Sequence, residues 1–371
     1  MQSEEMKKIL IFSNVEEGIY CFRLELLQRL IAENYDVILV APRGSYTREF
    51  ETMGVSRHFL DLNRQGMNPF EDFALLLRYI RILRKYRPSA VLTYTIKPNL
   101  YGGLACRMTG TPYLANITGV GRIFQKDGIV RRLVARMLKM ALAGARKVFF
   151  QNEANMQMFM EERIVDGQAV QLLPGSGVNL DYFAVQPYPQ ETEPIRFLMI
   201  ARLCRDKGIF ELIEAAREVH KHLPAVEFHV AGWNEDSQYR SSVQDLVEAG
   251  YWHDHGVLKR DAISALIGKC HAVVLPSYHE GMANVLLEAS ASGRPVLASD
   301  IPGCREIVVP GQSGYVFPPK DSKALTAILL RFAALPHEER AVMGETARQK
   351  VEQDFDREII IRHYMKSLNK K

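Results

Sequence analysis

A strand, a short loop and a helix follow one another between residues 270 and 292, and this order restricts the folds open to the chain. The run CHAVVL at 270–275 predicts a buried parallel strand, because strands covered on both faces are apolar along their length. Residues 285–292 predict a helix after a loop that contains Gly281. The same alternation recurs in both halves of the chain and indicates an α/β protein with open parallel sheets.

Two carboxylates flank the start of this helix. Glu280 precedes it, and Glu288 lies eight residues on, about two helical turns away and on roughly the same face. Gly281 lets the backbone approach a ligand closely, and the amides at a helix start favour an anion such as phosphate. Glutamates at this spacing are ordinarily solvated charges. Beside a phosphate, however, they suit hydrogen bonds from hydroxyl groups at two ends of a sugar nucleotide.

The length and composition predict a two-domain globular protein. A chain of 371 residues exceeds what one hydrophobic core usually organises. The five cysteines have no paired spacing, which indicates reduced thiols in a cytoplasmic protein and neither a zinc site nor a disulfide framework. No apolar run approaches the length of a bilayer span, and the polar start at 1–8 does not resemble a signal peptide.

The charge distribution points to an anionic partner. The net charge is only +4, but residues 51–150 contain 17 Lys or Arg against 5 Asp or Glu, while the remainder is net acidic. A basic region serves nucleic acid, anionic lipid or a phosphorylated substrate. Because the sequence contains no recognisable nucleic-acid module, we predict an anionic membrane surface or a lipid-linked phosphate, and no nucleic acid.

The N-terminal half begins with a predicted βαβ unit. Its parts are a strand at 7–13, a helix at 22–34 and a strand at 35–41. The turn at 14–18 lacks the three glycines of a dinucleotide fingerprint, so a nicotinamide cofactor is not expected. Arg23, near the predicted start of the helix, is either an anion contact or a surface arginine.

Two later strands of this half end beside polar residues. A strand at 90–94 precedes Lys97 and Asn99, and a strand at 112–117 precedes a Thr-Gly pair. Ligands bind beyond the carboxyl ends of strands in open α/β sheets. Lys97 is therefore a candidate phosphate contact, with a solvated loop charge as the alternative.

A basic amphipathic helix is predicted at 129–147, with one apolar face and six basic residues on the others. One interpretation is a surface helix packed on its own sheet, and the other is a helix that lies on an anionic membrane. In the second case each basic residue near the surface contributes about 1 kcal/mol. Several together would hold the protein near the membrane without anchoring it.

In the C-terminal half a cationic pair follows another strand. The strand is predicted at 195–200 and the next helix at 210–222, with Arg202 and Lys207 between them. A diphosphate suits this position, because one Arg side chain can donate hydrogen bonds to two phosphate oxygens at once and Lys acts as a point charge. No convincing Asp-x-Asp motif is found, which agrees with diphosphate binding without metal. The other predicted elements include strands at 147–151, 170–173 and 226–231 and helices at 322–334, 336–353 and 357–368.

These features together resemble the family 4 glycosyltransferases of the GT-B fold. The resemblance rests on the E-x7-E spacing, on the Arg…Lys-Gly pair and on the step Gly177-Val178-Asn179 between the halves. It implies two Rossmann-like domains that face each other across a cleft. The implied domains are an acceptor-binding domain at 1–180, a nucleotide-sugar domain at 181–354 and a terminal helix at 355–371 that returns to the first domain.

For the donor, the resemblance implies that Glu288 holds the ribose hydroxyls and that Glu280 holds a hydroxyl of the sugar. Arg202 and Lys207 would stabilise the charge on the departing diphosphate, and Leu258 would lie beside uracil. The other implied donor contacts are Gly18, Gly281, Met282, Ala283 and Asn284.

For the acceptor, the chain resembles a branch that builds lipid-linked bacterial glycans and includes N-acetylgalactosaminyltransferases. This likeness lies in the segments 19–23, 68–70, 97–99 and 119–121, and Asn68-Pro69-Phe70 also predicts a helix start with proline in its first turn. Many family members have His-Gly where this chain has Thr118-Gly119, so no catalytic histidine is assigned. The implied acceptor contacts are Arg23, Lys97, Asn99, Thr118 and Gly119.

We therefore expect a retaining, metal-independent N-acetylhexosaminyl- or hexosyltransferase without a cofactor, peripherally associated with the inner membrane. Its donor would be a UDP-sugar such as UDP-N-acetylgalactosamine, and its acceptor an undecaprenyl-diphosphate-linked sugar of a surface glycan. The acceptor hydroxyl would attack on the face that the leaving group departs from, and the leaving phosphate would take its proton. Two alternatives are a UDP-sugar epimerase of the same fold and a non-catalytic glycolipid-binding subunit.

Overall fold

A computed structural model describes residues 6–63, 66, 68–120, 124 and 128–369 of the chain. The chain divides into two compact units, which are described separately below. Unit 1 comprises Met1–Ser176 together with Glu358–Lys371, and unit 2 comprises Gly177–Arg357. Each unit is built on one parallel sheet, as expected for Rossmann-like domains.

The described part of unit 1 contains a seven-stranded sheet in the order β3-β2-β1-β4-β5-β6-β7. Every neighbouring pair is parallel. The strands are Lys8–Phe12 (β1), Asp36–Ala41 (β2), Ser56–Phe59 (β3), Ala90–Tyr94 (β4), Tyr113–Ile117 (β5), Lys147–Phe150 (β6) and Val170–Leu172 (β7). The helices are Glu16–Ala32 (α1), Thr47–Thr52 (α2), Pro69–Tyr86 (α3), Gly103–Thr109 (α4), Ile129–Leu142 (α5) and Glu153–Glu161 (α6).

Helices cover both faces of this sheet. Helices α3 to α6 pack on one face around a core that includes Tyr79 and Tyr113. On the other face lie α1, α2 and the terminal helix, whose Ile361 and Tyr364 belong to the same core as residues of β1 and β2. The terminal helix of the chain thus packs on the first sheet, as the resemblance implied.

Unit 2 contains a six-stranded parallel sheet in the order β10-β9-β8-β11-β12-β13. The strands are Arg196–Ile200 (β8), Glu227–Ala231 (β9), Trp252–Asp254 (β10), Ala272–Leu275 (β11), Val296–Ser299 (β12) and Gly314–Phe317 (β13). The helices are Ile209–His222 (α7), Tyr239–Glu248 (α8), Arg260–Lys269 (α9), Asn284–Ala291 (α10), Ser322–Ala333 (α11) and His337–Asp354 (α12). The terminal helix, Arg357–Asn369 (α13), follows in the chain and belongs to unit 1 from Glu358 on.

Two predicted helices have different bounds. Helix α1 begins at Glu16 rather than at residue 22, because Glu16 and Glu17 suit the first turn of a helix and Val15 is extended. Helix α5 ends at Leu142 rather than at 147, since Lys147 already begins β6. The sequence reasoning also missed β3 and β13 and the helices α2, α4, α6, α8 and α9, most of which are short.

Within the described ranges, the helices are too short or too polar to cross a membrane.

Candidate functional site

The strand order of unit 2 changes direction between β8 and β11. Strands β9 and β10 continue on one side of this pair, and β12 and β13 on the other. In open α/β sheets ligands bind at such a switch point, beyond the carboxyl ends of the strands. Arg202 and Lys207 follow β8, and Glu280 follows β11. The fold therefore brings these predicted residues to one edge of the sheet.

Lys207 and Glu280 are in direct contact. The distance from Lys207 Nζ to Glu280 Oε1 is 2.5 Å, and the two side chains are 17% and 13% exposed. The ion pair joins the turn after β8 to the loop after β11, 73 residues apart in the chain. A cation and a carboxylate are thus placed side by side at the switch point, with a small part of each still facing solvent.

A glycine allows these two loops to approach each other. Gly208 has φ 74°, and a Cβ built on it would lie 2.0 Å from the carbonyl oxygen of Pro276. Any side chain at this position would therefore push the loops apart. The Tyr278 amide donates to the carbonyl of Asp206 at 2.9 Å, which ties the loops at a second point.

Arg202 lies within electrostatic reach of the same pair. Its guanidinium is half exposed and donates to Glu235 Oε2 at 2.7 Å. Burial lowers the pKa of Arg202, but the hydrogen bond and charge of Glu235, with a smaller contribution from Glu280, hold that pKa above its ordinary value. The sequence reasoning identified Arg202 and missed Glu235, which lies 33 residues away on another loop.

The start of α10 differs in part from the prediction. Met282 and Ala283 are buried in the core, and the Ala283 amide already donates to the carbonyl of Gly303 at 2.8 Å. Ala283 is thus not the free anion-binding amide that the sequence suggested. Asn284 is the first helical residue, so its amide has no acceptor within the helix. Within the described chain its side-chain oxygen is buried without a hydrogen-bond partner.

Glu288 lies one turn further along α10. Its side chain is partly exposed, and no described residue donates a hydrogen bond to its carboxylate. Desolvation raises the pKa of Glu288 from 4.5 to about 7, although Arg260 and Arg357 lower it. Neither arginine was predicted, because no motif links them to a glutamate so distant in sequence. Glu288 is therefore a poorly solvated carboxyl group able to accept hydrogen bonds.

Leu258 lies in an open groove of about 580 Å³ formed by α9 and the faces of β8 and β9. The neighbouring Gly256 carbonyl accepts from the Gly232 amide at 2.8 Å and is therefore used inside the unit. The predicted contact of Leu258 with uracil stays a prediction.

Three of the polar residues predicted in unit 1, Arg23, Lys97 and Asn99, are engaged within that unit. Lys97 Nζ lies 2.7 Å from Asp72 Oδ1 of α3, and both side chains are nearly buried. Lys97 is thus neither a solvated loop charge nor a cation without a counterion. The chain reaches it through Thr95, which has φ 71°, an uncommon conformation for a β-branched residue and one that is frequent near functional sites.

Asn99 corrects the prediction more strongly. Its side chain is buried, accepts from Thr93 Oγ1 at 2.6 Å and donates to the Asn116 carbonyl at 2.7 Å. The amide therefore links the ends of β4 and β5. Asn99 was predicted to contact the acceptor, but the structure gives it a structural role inside the domain.

Arg23 and Gly18 also lie elsewhere than predicted. Arg23 is in the middle of α1 and buried, donating to the Phe22 carbonyl at 2.8 Å, with its guanidinium 5.2 Å from the centre of the Tyr94 ring. It is therefore not a surface arginine. Gly18 is in the first turn of α1 rather than in a loop.

The Thr-Gly step after β5 is accessible. Thr118 and Gly119 are partly exposed, and a Cβ built on Gly119 would meet nothing within 4 Å. Of the motif at 119–121, Gly121 lies outside the described residues. The predicted acceptor contacts at this step remain predictions.

Known protein families match both units. Residues 8–152, in unit 1, match the family described as Glycosyl transferase 4-like. Residues 184–350, in unit 2, match Glycosyl transferases group 1. Between them the two matches account for most of the chain.

Relatives align over nearly the full length. The N,N'-diacetylbacillosaminyl-diphospho-undecaprenol alpha-1,3-N-acetylgalactosaminyltransferase of Campylobacter jejuni is 26% identical, with 97% of each chain covered. The UDP-Gal:alpha-D-GlcNAc-diphosphoundecaprenol alpha-1,3-galactosyltransferase of Escherichia coli is 22% identical, with 91% of this chain and 90% of the relative covered.

A solved structure with the same fold is Anabaena HepE in complex with UDP and glucose. It superposes with a TM-score of 0.81 at 16% identity, covering 99% of this chain and 100% of HepE. At this identity the likeness supports the fold alone. With one glycosyltransferase family matched in each unit and relatives aligned from end to end, the chain belongs to the family 4 glycosyltransferases of the GT-B fold.

Proposed function

We propose that this glycosyltransferase moves an N-acetylhexosamine from a UDP-sugar to an undecaprenyl-diphosphate-linked sugar, with retention and without a metal ion. The observation that carries the proposal is the Lys207–Glu280 ion pair at the switch point of unit 2, with Arg202 close by. A cation and a carboxylate held between two strand-end loops at a switch point suit a ligand site.

The cations suit the donor diphosphate. Lys207 would exchange Glu280 for a phosphate oxygen, and half-exposed Arg202 would bind a second oxygen through its planar fork. The charge that develops on the leaving diphosphate would then meet two positive groups already in place. Such preorganised electrostatic stabilisation is commonly the largest contribution to catalysis.

The two glutamates suit the hydroxyl groups of the donor. Once Lys207 turns to phosphate, Glu280 can accept a hydrogen bond from the transferred sugar. The Glu288 carboxylate accepts no hydrogen bond from any described residue, so the ribose hydroxyls would provide its first donors. A ligand hydroxyl that satisfies a poorly solvated carboxylate gains more than a hydrogen bond made in water.

Retention would follow from attack on the face of the sugar that the diphosphate leaves. The acceptor oxygen forms its bond to the anomeric carbon as the bond to the phosphate oxygen breaks. The acceptor proton passes to that phosphate oxygen, so charge and atoms balance without a protein nucleophile. Lys207 and Arg202 assist by lowering the energy of the departing diphosphate.

The names of the relatives support this choice of substrates. The Campylobacter jejuni relative is named as an N-acetylgalactosaminyltransferase acting on an undecaprenol-linked diphosphosugar. The Escherichia coli relative is named as a UDP-Gal-dependent enzyme with a diphosphoundecaprenol acceptor. Both names combine a hexose-type donor with a lipid-linked diphosphate acceptor.

A surface of unit 1 supports contact with the membrane that carries such an acceptor. Helices α3 and α5 pack on the same face of the sheet and expose apolar side chains near their starts. Phe70 is 87% exposed and Ile129 is 80% exposed. The same helices carry Arg78, Arg81, Arg84, Lys85, Arg131, Arg132, Arg136 and Lys139. Exposed apolar groups among cations are typical of binding at an anionic interface.

The transfer test uses a panel of UDP-hexoses and UDP-N-acetylhexosamines with short-chain polyprenyl-diphosphate-linked sugars as acceptors. We expect transfer from one UDP-N-acetylhexosamine to give an α-linked product, read by NMR, and activity that survives EDTA. An inverted linkage would overturn retention, and loss of activity in EDTA that Mg²⁺ or Mn²⁺ restores would overturn metal independence. Conversion of UDP-N-acetylglucosamine without any acceptor would instead support an epimerase.

The membrane test uses sedimentation with phosphatidylglycerol vesicles at low salt. Phe70→Ser combined with Phe73→Ser is expected to lower the bound fraction at least about threefold, since both rings leave the interface. Val342→Ser, an exposed apolar position of unit 2, is the matched control. No binding of the wild type to anionic vesicles would reject the membrane surface.

A further inference from the structure

Three histidines and a glutamate share one edge of the second sheet. Glu227 and His229 alternate along β9, so both side chains leave the same face of that strand. The register of the parallel pair sets His253 of β10 opposite His229, and His255 follows two residues later. The opposite face of the two strands carries the buried Phe228, Val230 and Trp252, which fixes the polar face outward.

The side chains of this histidine edge are already in contact. His229 Nε2 lies 3.3 Å from Glu227 Oε2, and His229 Nδ1 lies 2.9 Å from His255 Nε2. The rings of His229 and His253 stack with their centres 4.6 Å apart. Among the described residues His253 Nε2 is buried and has no hydrogen-bond partner. A buried imidazole nitrogen without a partner is an uncommon feature that calls for a ligand.

We propose that Glu227, His229 and His253 bind a divalent transition-metal ion of the zinc type. One ligand atom from each lies within 4.8 Å of the other two. Two imidazoles and a carboxylate are a common zinc donor set, and a water completes the tetrahedron. Ligand atoms on a tetrahedral zinc ion lie about 3.4 Å apart, given metal–ligand distances of about 2.0–2.2 Å. The Glu227–His229 pair is already at 3.3 Å, so mainly His253 has to turn.

A tautomer change would prepare His229 for the ion. Without metal, the His229 Nε2–H can donate to Glu227, and Nδ1 can accept from the His255 Nε2–H. Binding through Nε2 requires the His229 proton on Nδ1, from where it donates to Nε2 of His255, whose own proton must then lie on Nδ1. His255 is then a second-shell partner that fixes the ring of His229.

The neighbouring cations do not prevent this arrangement. Arg196 Nε donates to Glu227 Oε2 at 3.0 Å and also bonds Glu193, so its charge is shared between two carboxylates. Glu227 Oε1 makes no hydrogen bond with a described residue, so Arg196 can donate to Oε1 when Oε2, the oxygen 3.3 Å from His229, binds the ion. Lys269 also lines this groove, and its backbone carbonyl accepts from Arg196 Nη1 at 3.4 Å.

The test titrates untagged, chelator-treated protein with Co²⁺ and follows the visible absorption of the bound ion. We expect the absorption to saturate at one equivalent of Co²⁺ and to disappear when Zn²⁺ displaces the Co²⁺. Zn²⁺ should also raise the Tm by about 3 °C. His253→Ala and His229→Gln are expected to weaken binding at least about tenfold and to remove the rise in Tm.

His222→Ala provides the matched control, because His222 also faces a carboxylate, with Nε2 3.4 Å from Glu218 Oε1. It should bind Co²⁺ as the wild type does. Circular dichroism of each variant without metal shows that a loss of binding is not a loss of folding. Absence of the Co²⁺ spectrum in the wild type, or an equal rise in Tm with Zn²⁺ in His253→Ala, would overturn the proposal. Because the readouts are binding and stability, the result does not depend on the transfer reaction.

Discussion

The switch points of the two sheets use their charged residues differently. In unit 2, Lys207 pairs with Glu280 from one strand-end loop to the other, across the switch point between β8 and β11. In unit 1 the order reverses between β1 and β4, and Lys97, which follows β4, pairs with Asp72 on α3. Lys207 thus pairs with a loop carboxylate that we propose a ligand displaces, whereas Lys97 holds helix α3 against its own sheet.

The different pairing of Lys207 and Lys97 agrees with the proposal that unit 2 binds the donor and unit 1 the acceptor. Every UDP-sugar carries the same diphosphate, so a donor unit gains from charges arranged in advance. An acceptor sugar on a lipid is recognised by shape and by a few polar groups. Around Lys97 and Asn99 the hydrogen bonds are satisfied inside the domain, so we expect these residues to act on the acceptor by holding loops in place.

The sharpest test of the contrast is Lys207→Met. Loss of the cation at the leaving group should lower kcat about 100-fold or more, measured with saturating donor and acceptor. Lys97→Met should leave UDP affinity within about threefold of the wild type.

Lys221→Met is the matched control, because Lys221 pairs with Glu218 at 2.7 Å on the exposed surface of the same unit. Such exposed pairs contribute about 0–1 kcal/mol and no catalysis. Equal losses of kcat in Lys207→Met and Lys97→Met would show that the two switch points do not differ as described.

Asn99→Ala tests the structural role of the unit 1 site. The change leaves the hydroxyl of Thr93 and the carbonyl of Asn116 without their partner, so unfolding of unit 1 should become easier by about 2 kcal/mol. Urea denaturation followed by a probe in unit 1 measures this, and UDP affinity is the internal control. A stable variant with a raised acceptor KM would instead make Asn99 a direct contact.

Glu288→Ala tests the second carboxylate of the donor site. If Glu288 binds the ribose hydroxyls as proposed, loss of these hydrogen bonds should lower kcat/KM for the UDP-sugar about tenfold. Glu248→Ala, at the exposed end of α8, should change nothing. Wild-type turnover of each UDP-sugar by Glu288→Ala would remove Glu288 from the site.

Glu288→Gln tests the raised pKa of this carboxyl group. In the folded protein the pKa is about 7 instead of 4.5, so between these values the folded state binds more protons than the unfolded state. Stability therefore falls as pH rises from about 4.5 to about 7, and glutamine abolishes this fall. The Tm of the variant relative to wild type should increase by about 2 °C from pH 5 to pH 8. A difference that is constant with pH would contradict the raised pKa.

Most of the strands and helices were predictable, since their signals are local. The strand at 90–94 was predicted with its observed bounds, and the helix predicted at 285–292 is Asn284–Ala291 in the structure. Helix α1 begins six residues earlier than predicted, although Glu16 and Glu17 are a local signal for a helix start. Its first turn contains Glu16, whose carboxylate accepts from the Tyr46 amide at 2.6 Å. No signal near Glu16 in the chain reveals that contact.

The sequence by itself determined the alternation of strands and helices and the presence of charged residues just after β4, β8 and β11. These properties depend on periodicity and on short-range turn chemistry. Only the tertiary structure decided which charged side chains form ion pairs with each other. It paired Lys97 with a carboxylate 25 residues away and Lys207 with one 73 residues away, and it set His253 opposite His229. Sheet register and helix packing bring distant segments together, and the local pattern of residues carries no record of those contacts.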